Sequence, residues 1–238
     1  MTRALAMLRF DVIVQARQGF YAASVFLVIV VAGLLLMLPP AVRANAAVLA
    51  PALFVANLPI TTLFFMAGLM LLERDEGTLA ALGVTPYRAV DYLSVRIVTL
   101  TTLAVIETVA VVWIAFDVGS WPWLTAGAMA LGVFYTACGA GMSARYSSVN
   151  EMILPGSVFV TVLLLPLLPH FGLMPRGVLI VHPVEPALTL LRAAYHPPGV
   201  VDVGFGIGGS LAWCVAAWRW GRDGIERAMR DTRASGGR

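Results

Sequence analysis

The sequence predicts an all-α polytopic membrane protein with six transmembrane helices. The 238 residues are 60% hydrophobic and 12% charged, with a mean hydropathy of +0.87, which is more apolar surface than one soluble core of this size can bury. Six apolar runs also have the roughly 17–25 residues that a helix needs to cross a bilayer. These runs span approximately 21–42, 48–72, 96–116, 121–143, 152–169 and 203–220. They fill the chain, so residues 1–238 are expected to form a single transmembrane domain.

An amphipathic helix is predicted ahead of the first run. The segment TRALAMLRFDVIVQARQGF places Leu5, Leu8 and Val12 at helical spacing among charged residues. This pattern is typical of a helix that lies on the inner membrane surface. A simple helical extension of the first span is the alternative.

The arginine distribution predicts the orientation of the chain. All sixteen basic residues are Arg, and the positive-inside rule assigns most of them to the cytoplasm. With a cytoplasmic N-terminus, only Arg43, Arg176 and Arg192 fall outside, and both termini of this cell-membrane protein are cytoplasmic. The net charge of +3 lies mostly on this inner rim. It suits anionic lipid headgroups, so membrane lipids are expected partners and nucleic acid is not.

Small residues recur at every fourth position in two of the predicted spans. They are Ala128, Gly132, Thr136 and Ala140 in the fourth span, and Gly204, Gly208, Ala212 and Ala216 in the sixth. Such stripes let helix backbones approach closely in lipid, so both are predicted to be packing interfaces. The arginine-rich tail after Trp220 is expected to be a helix end facing solvent or headgroups.

A re-entrant outer cap is predicted between the fifth and sixth spans. Pro155, Pro166 and Pro169 predict that the fifth helix is broken, or covered by protein, near its outer end. The following segment is too interrupted to span the membrane. Its part from Pro186 to Tyr195 has the length of a re-entrant or interfacial helix, with a proline suited to the first turn. We expect this cap to be partly buried.

Enzymatic motifs are missing from the sequence. A Walker A loop needs a lysine and the chain has none, so ATP hydrolysis is not expected here; neither HExxH nor GxSxG occurs. His170, His182 and His196 all lie in or beside the outer cap, one in each Pro-rich turn. That spacing is weak for a metal site, and we interpret them as interfacial turn residues. No metal or cofactor bound by this chain is expected.

Seven of the few charges stand in one stretch between the second and third spans, ERDEGTLAALGVTPYRAVDYLSVR, residues 73–96. Gly77 is predicted to break the second helix, and Thr78 to cap a new short helix that presents Leu79 and Leu82. Thr85 and Pro86 then predict a further helix start, with Thr85 as the N-cap and Pro86 in the first turn. A short helix held across the membrane normal between two spans is typical of a docking element.

This stretch resembles the E-R-x-E-G-T-L-x-x-L-x-x-T-P-x-x-x-x-x-Y-x-x-x-R/K segment of ABC-2 type export permeases. The six spans, the amphipathic start and the outer cap are similar to that family along nearly the whole chain. The similarity is closest to the permeases of fluoroquinolone-export ABC systems, including the opening MTRALAMLRFDVIVQARQGF.

The resemblance implies that the stretch is a coupling helix docking into a separately encoded ATP-binding subunit, which holds ATP and Mg²⁺. It also implies a second permease chain, identical or related, and export of a drug-like amphipathic compound. The implied contact residues follow the motif. They are Glu73, Glu76, Gly77, Thr78, Leu79, Leu82, Thr85 and Pro86.

Glu107 is the one carboxylate well inside a predicted span. Such a group usually faces a cavity or a partner, so it either lines the substrate pathway or packs as a protonated carboxyl against a neighbouring helix. Two other functions stay open. One is an ABC-2 permease for lipid-linked or polymeric cargo, and the other is an intramembrane enzyme, which would need further polar groups at membrane depth.

Overall fold

The computed structural model describes residues 3–78, 81 and 88–235, and within these ranges the side chains of residues 5–78, 81 and 88–230. All regular elements in the described ranges are helical. The α-helices are α1 (Arg3–Arg17), α2 (Phe20–Leu36), α3 (Pro40–Arg43), α4 (Ala46–Pro59), α5 (Phe65–Asp75), α6 (Ala89–Ala115), α7 (Trp121–Ser143), α8 (Val149–Leu163), α9 (Leu167–His170), α10 (Glu185–Ala193) and α11 (Val200–Ser235). A π-helical turn, Ile60–Phe64, joins α4 to α5, and a 3₁₀ turn, Arg176–Leu179, precedes α10.

In the described part of the chain, five helical segments are long and apolar enough to cross a membrane, or six if α1 and α2 together form one broken span. The five are Ala46–Asp75, Ala89–Ala115, Trp121–Ser143, Val149–His170 and Val200–Arg230. A multi-pass membrane protein is therefore confirmed. The first predicted span, 21–42, is too long because α2 ends at Leu36, ahead of Pro39 and Pro40.

A sharp bend separates α1 from α2. The two helices are inclined by 64° across Gly19, whose φ is +80°. The alternative of a straight extension of the first span is therefore wrong. The faces of α1 are also unusual, because Asp11 and Gln15 are buried while Phe10 and Leu5 are largely exposed.

Helix α7 lies at the centre of the fold. Its most apolar stretch is 72% buried, against 17% for α11. The predicted stripe of the fourth span is buried, and a methyl group added at its Gly132 would lie 2.8 Å from Thr101 Cγ2 on α6. Small residues on α7 thus let a neighbouring helix approach closely, as predicted.

The predicted stripe of the sixth span behaves differently. Gly204, Gly208, Ala212 and Ala216 are all exposed in the single chain. Gly206 and Gly209 approach α10 instead. Within one chain the stripe is therefore not a packing interface, because the face of α11 that meets its neighbours lies beside it. Packing of the stripe against a helix of another chain stays a prediction.

The segments around the outer cap follow the sequence closely. Helix α8 ends at Leu163, and a turn separates it from α9, so the break in the fifth span is confirmed. Helix α10 is almost entirely buried against α7 and α11.

At the other end of the molecule, α11 continues through the tail, where Ile225, Ala228 and Met229 are buried against α5 and α6. The expectation of a simply solvated or headgroup-facing tail is wrong for this side of the helix.

Candidate functional site

The end of α5 is a defined backbone turn. The Glu76 amide donates to the Leu72 carbonyl (3.0 Å), the Gly77 amide donates to the Arg74 carbonyl (3.1 Å), and Gly77 has a φ of +72°. A left-handed residue at this place is how many helices end, and glycine adopts it without strain. The predicted break at Gly77 is confirmed.

A new helical turn starts directly after this break. Thr78 is already helical, and the Ala81 amide donates to the Gly77 carbonyl over 3.1 Å. Gly77 rather than Thr78 therefore holds the capping position, because its carbonyl accepts the first bond. The other predicted contact residues fall outside the described residues. They are Leu79, Leu82, Thr85 and Pro86.

Glu73 lies one turn before the break and is only 4% exposed. Its Oε1 atom accepts a charge-assisted hydrogen bond from Arg96 Nη2, and its Oε2 atom accepts from the Tyr92 hydroxyl over 2.5 Å. Tyr92 and Arg96 are one helical turn apart on α6, so they share a face toward α5. Both carboxylate oxygens of Glu73 are thus engaged inside the chain.

Arg96 also reaches α1. Its Nη1 atom lies 2.7 Å from Asp11 Oδ1, in an ion pair with both side chains buried. Gln15 Nε2 donates to Asp11 Oδ2 (2.7 Å) and to Thr99 Oγ1 (2.8 Å), and the Thr99 hydroxyl donates to Asp11 Oδ2 (2.5 Å). We call this set the Arg96 network. It comprises Asp11, Gln15, Glu73, Tyr92, Arg96 and Thr99.

The Arg96 network fixes three helices against one another. Removing one partner from a buried ion pair leaves an uncompensated charge, at a cost of about 3–5 kcal/mol. Sequence reasoning missed the contribution of Asp11. The part of the network on α6 was readable from the sequence, because the family segment ends in Tyr92 and Arg96 at a spacing that puts both on one helix face.

Residues beyond Glu73 are more accessible. Glu76 and Gly77 are exposed and Thr78 is half-buried. Arg74 Nη1 donates to the Tyr146 carbonyl over 2.6 Å, which ties the helix end to the loop after α7. A cavity of about 310 Å³ opens between α1 and this end of α5. Its lining residues are Phe10, Val14, Arg17, Gln18, Glu73, Glu76 and Thr78.

The intramembrane carboxylate of Glu107 lies elsewhere, against the π turn. It is 3% exposed, and the Thr61 hydroxyl donates to its Oε2 atom over 2.6 Å. Its Oε1 atom is buried without a hydrogen-bond partner in the described part of the chain. π turns interrupt the regular helix ladder and are frequent at functional sites. The geometry therefore pairs the one carboxylate in mid-span with an irregular stretch of the second span.

The histidines of the cap have individual backbone or side-chain partners. His170 Nε2 lies 2.8 Å from the Val48 carbonyl oxygen, and its Nδ1 atom accepts from Arg192 Nε over 3.1 Å. His182 Nε2 lies 3.2 Å from the Val162 carbonyl oxygen, and burial lowers the pKa of His182. Across the described ranges, three or more metal-binding side chains do not come together. Through these contacts, His170 and His182 join the cap to the spans.

The apolar spanning helices define a multi-pass membrane protein, with a buried ionic cluster beside one helix break. The model of the fluoroquinolones export permease protein family matches residues 2–229. Two similar proteins are the fluoroquinolones export permease proteins of Mycobacterium tuberculosis strains CDC 1551 and H37Rv. Each is 29% identical over 197 residues, which is 82% of this chain and 82% of the relative. The chain belongs to the fluoroquinolones export permease protein family and is a transport subunit rather than an enzyme.

Proposed function

We propose that this chain is the membrane-spanning subunit of an ABC exporter. It moves a drug-like amphipathic compound out of the cell, with energy from ATP that a separate subunit hydrolyses with Mg²⁺. The names of the two similar proteins support fluoroquinolones as one cargo. The observation that carries the proposal is the Arg96 network, which connects the helix break at Gly77 to three helices at once.

The network explains how a docking event reaches the spans. The ATP-binding subunit contacts the exposed Glu76 and Gly77, with Thr78 and the four contact residues that follow them. Glu73 is buried, so in this proposal it positions the segment by holding Arg96 instead of touching the partner. A push on the break is then transmitted through α5 to the second span, through α6 to the third, and through Asp11 to α1.

Two further features of the exporter belong to the proposal. Both termini are cytoplasmic, which is supported by the arginine distribution. A second permease chain, identical or related, completes the pathway, and the exposed small-residue stripe of α11 supports it because such a stripe packs best against another helix. Lipid surrounds the remaining apolar faces.

Glu107 is proposed to serve the pathway. Its free Oε1 atom and the neighbouring π turn support this role, since an ionisable group inside a span usually faces a cavity or partner. Packing against Thr61 is the competing explanation. A substitution that removes the charge of Glu107 but keeps its hydrogen bond to Thr61 distinguishes the two roles. It should abolish export if Glu107 serves the pathway and leave export unchanged if Glu107 only packs.

Transport in inside-out vesicles tests the function. The permease is coexpressed with an ATP-binding subunit, and accumulation of ciprofloxacin, a fluoroquinolone, is measured with ATP and with a non-hydrolysable analogue. We expect accumulation only with ATP and only when both chains are present. Copurification of the two subunits without ciprofloxacin transport would favour lipid-linked or polymeric cargo. Absence of any ATP-binding partner would overturn the proposal.

A further inference from the structure

Another cavity lies at the opposite end of the chain from the Arg96 network in the proposed topology. It has a volume of about 360 Å³ and is lined by α10, the 3₁₀ turn, the start of α11 and the segments that join them. We call it the cap cavity. The lining residues that matter here are Arg176, Glu185, Arg192, His196, Asp202 and Phe205.

The cap cavity contains a buried ion pair with unused bonding capacity. Arg192 Nη1 lies 2.7 Å from Glu185 Oε1, and only 6% of the Glu185 side chain is exposed. Arg192 Nε is taken by His170. Glu185 Oε2 and Arg192 Nη2 are both buried and have no hydrogen-bond partner among the described residues. A purely structural pair would leave this acceptor and this donor unsatisfied, which costs free energy.

Size and charge restrict what could satisfy both atoms. A volume of about 360 Å³ is in the range of small-molecule pockets and far above that of one water molecule. The walls carry two arginines, Arg176 and Arg192, and two carboxylates, Glu185 and Asp202, beside the apolar ring of Phe205. The formal charges cancel, so a net anion or net cation would leave one sign unmatched.

We propose that the cap cavity is a binding site for a zwitterionic amphiphile. Its carboxylate or phosphate lies at Arg192 Nη2 and Arg176, its protonated amine lies at Glu185 Oε2, and its apolar part packs on Phe205. Two sources have this chemistry, an exported cargo and a phosphatidylethanolamine headgroup. The cargo source rests on the proposed function, whereas the site itself does not.

Binding to the full-length permease, without its ATP-binding subunit, tests the site. The protein is placed in phosphatidylcholine nanodiscs and titrated with ciprofloxacin, which carries a carboxylate and a protonated amine. Nalidixic acid, which has the carboxylate but not that amine, is the comparison ligand. We expect ciprofloxacin to bind about tenfold more tightly, the effect of one hydrogen bond to a charged group.

Variants separate the site from nonspecific binding. Arg176→Gln, at an exposed position, and Glu185→Gln should each weaken ciprofloxacin binding by about tenfold, whereas Arg43→Gln, outside the cavity, should not. Because Glu185 is buried, its variant is also checked for folding, and Arg176→Gln keeps the test decisive if that variant unfolds. Wild-type binding in Arg176→Gln and in folded Glu185→Gln would overturn the proposal, as would equal binding of the two ligands.

A measurement with added lipid shows whether a headgroup or the cargo occupies the cap cavity. Adding phosphatidylethanolamine to the nanodiscs should displace ciprofloxacin from the wild type if a headgroup occupies the cavity, and should leave binding unchanged if the cargo does. Either result supports a zwitterion site once the variants respond. Zwitterion binding without ATP-driven export contradicts only the proposed function, and export that ignores the variants contradicts only the cargo source.

Discussion

Arg96 Nη1 lies 2.7 Å from Asp11 Oδ1, which ties the first part of α6 to the N-terminal helix α1. The same guanidinium holds Glu73, at the end of the second span. One side chain thus connects the two sides of the break at Gly77 with α1. The predictions below test this connection, the break itself, the mid-span carboxylate and the orientation.

Replacing Arg96 by Met should destabilise the permease strongly. It leaves Asp11 and Glu73 as buried carboxylates without a cation, at a cost of about 3–5 kcal/mol. Thermal unfolding in detergent measures the effect, with Arg219→Met on an exposed part of α11 as the matched control. An unchanged unfolding temperature in Arg96→Met would show that the Arg96 network does not hold the helices together.

Glu73→Gln should uncouple the permease from its ATP-binding subunit while leaving insertion intact. The amide can still accept from Tyr92 but loses the charge that pairs with Arg96, worth about 1.5–3 kcal/mol for a hydrogen bond to a charged group. Cargo-stimulated ATPase activity of the complex is the measurement. Asp75→Asn, at an exposed neighbouring carboxylate, should behave as wild type. Equal losses in both variants would indicate direct partner contact instead of positioning.

Substitutions at Gly77 should rank by their tolerance of a left-handed backbone. A side chain at this position meets no atom within 4 Å, so the cost comes from φ of +72° and is about 1–2 kcal/mol for an ordinary residue. Asn tolerates this region, Val does not, and Pro cannot adopt it. Copurification with the ATP-binding subunit should therefore fall from Gly77→Asn to Gly77→Val to Gly77→Pro.

A companion variant, Leu79→Asp, tests the apolar contact that the family resemblance implies, and should abolish copurification while the permease still inserts. Normal binding and transport in both Gly77→Pro and Leu79→Asp would refute the docking role.

Glu107→Gln should abolish export at unchanged membrane abundance. The amide keeps the shape and can still accept from Thr61, so the packing contact survives while the charge is lost. Transport with cargoes of different charge, measured across pH, is the readout. Glu107→Leu removes the hydrogen bond as well. Normal transport in Glu107→Gln, together with poor assembly of Glu107→Leu, would leave only the packing role.

Single cysteines should report both termini in the cytoplasm. The background lacks Cys138 and Cys214, the two free cysteines of the described residues. In it, Val181→Cys, at a highly exposed position of the cap, should react with an impermeant maleimide on intact cells. Arg227→Cys should react only after permeabilisation. External labelling of Arg227→Cys would refute the orientation.

The sequence by itself determined the features that depend on neighbouring residues. Apolar length set most of the spanning segments, prolines set the break after Leu163, and Gly77 set the end of the second span. Each follows from local backbone chemistry, which is readable from a few consecutive residues. Family resemblance, carried by one charged stretch, was enough to place the chain among export permeases.

Only the tertiary structure decided which side chains meet. It placed Asp11 against Arg96, buried Glu73 against the same arginine, and turned the small-residue stripe of α11 outward while Gly206 and Gly209 faced α10. It also put the π turn with Thr61 against Glu107. Residues far apart in the chain form these contacts, and their partners depend on how whole helices rotate and cross, which no local pattern specifies.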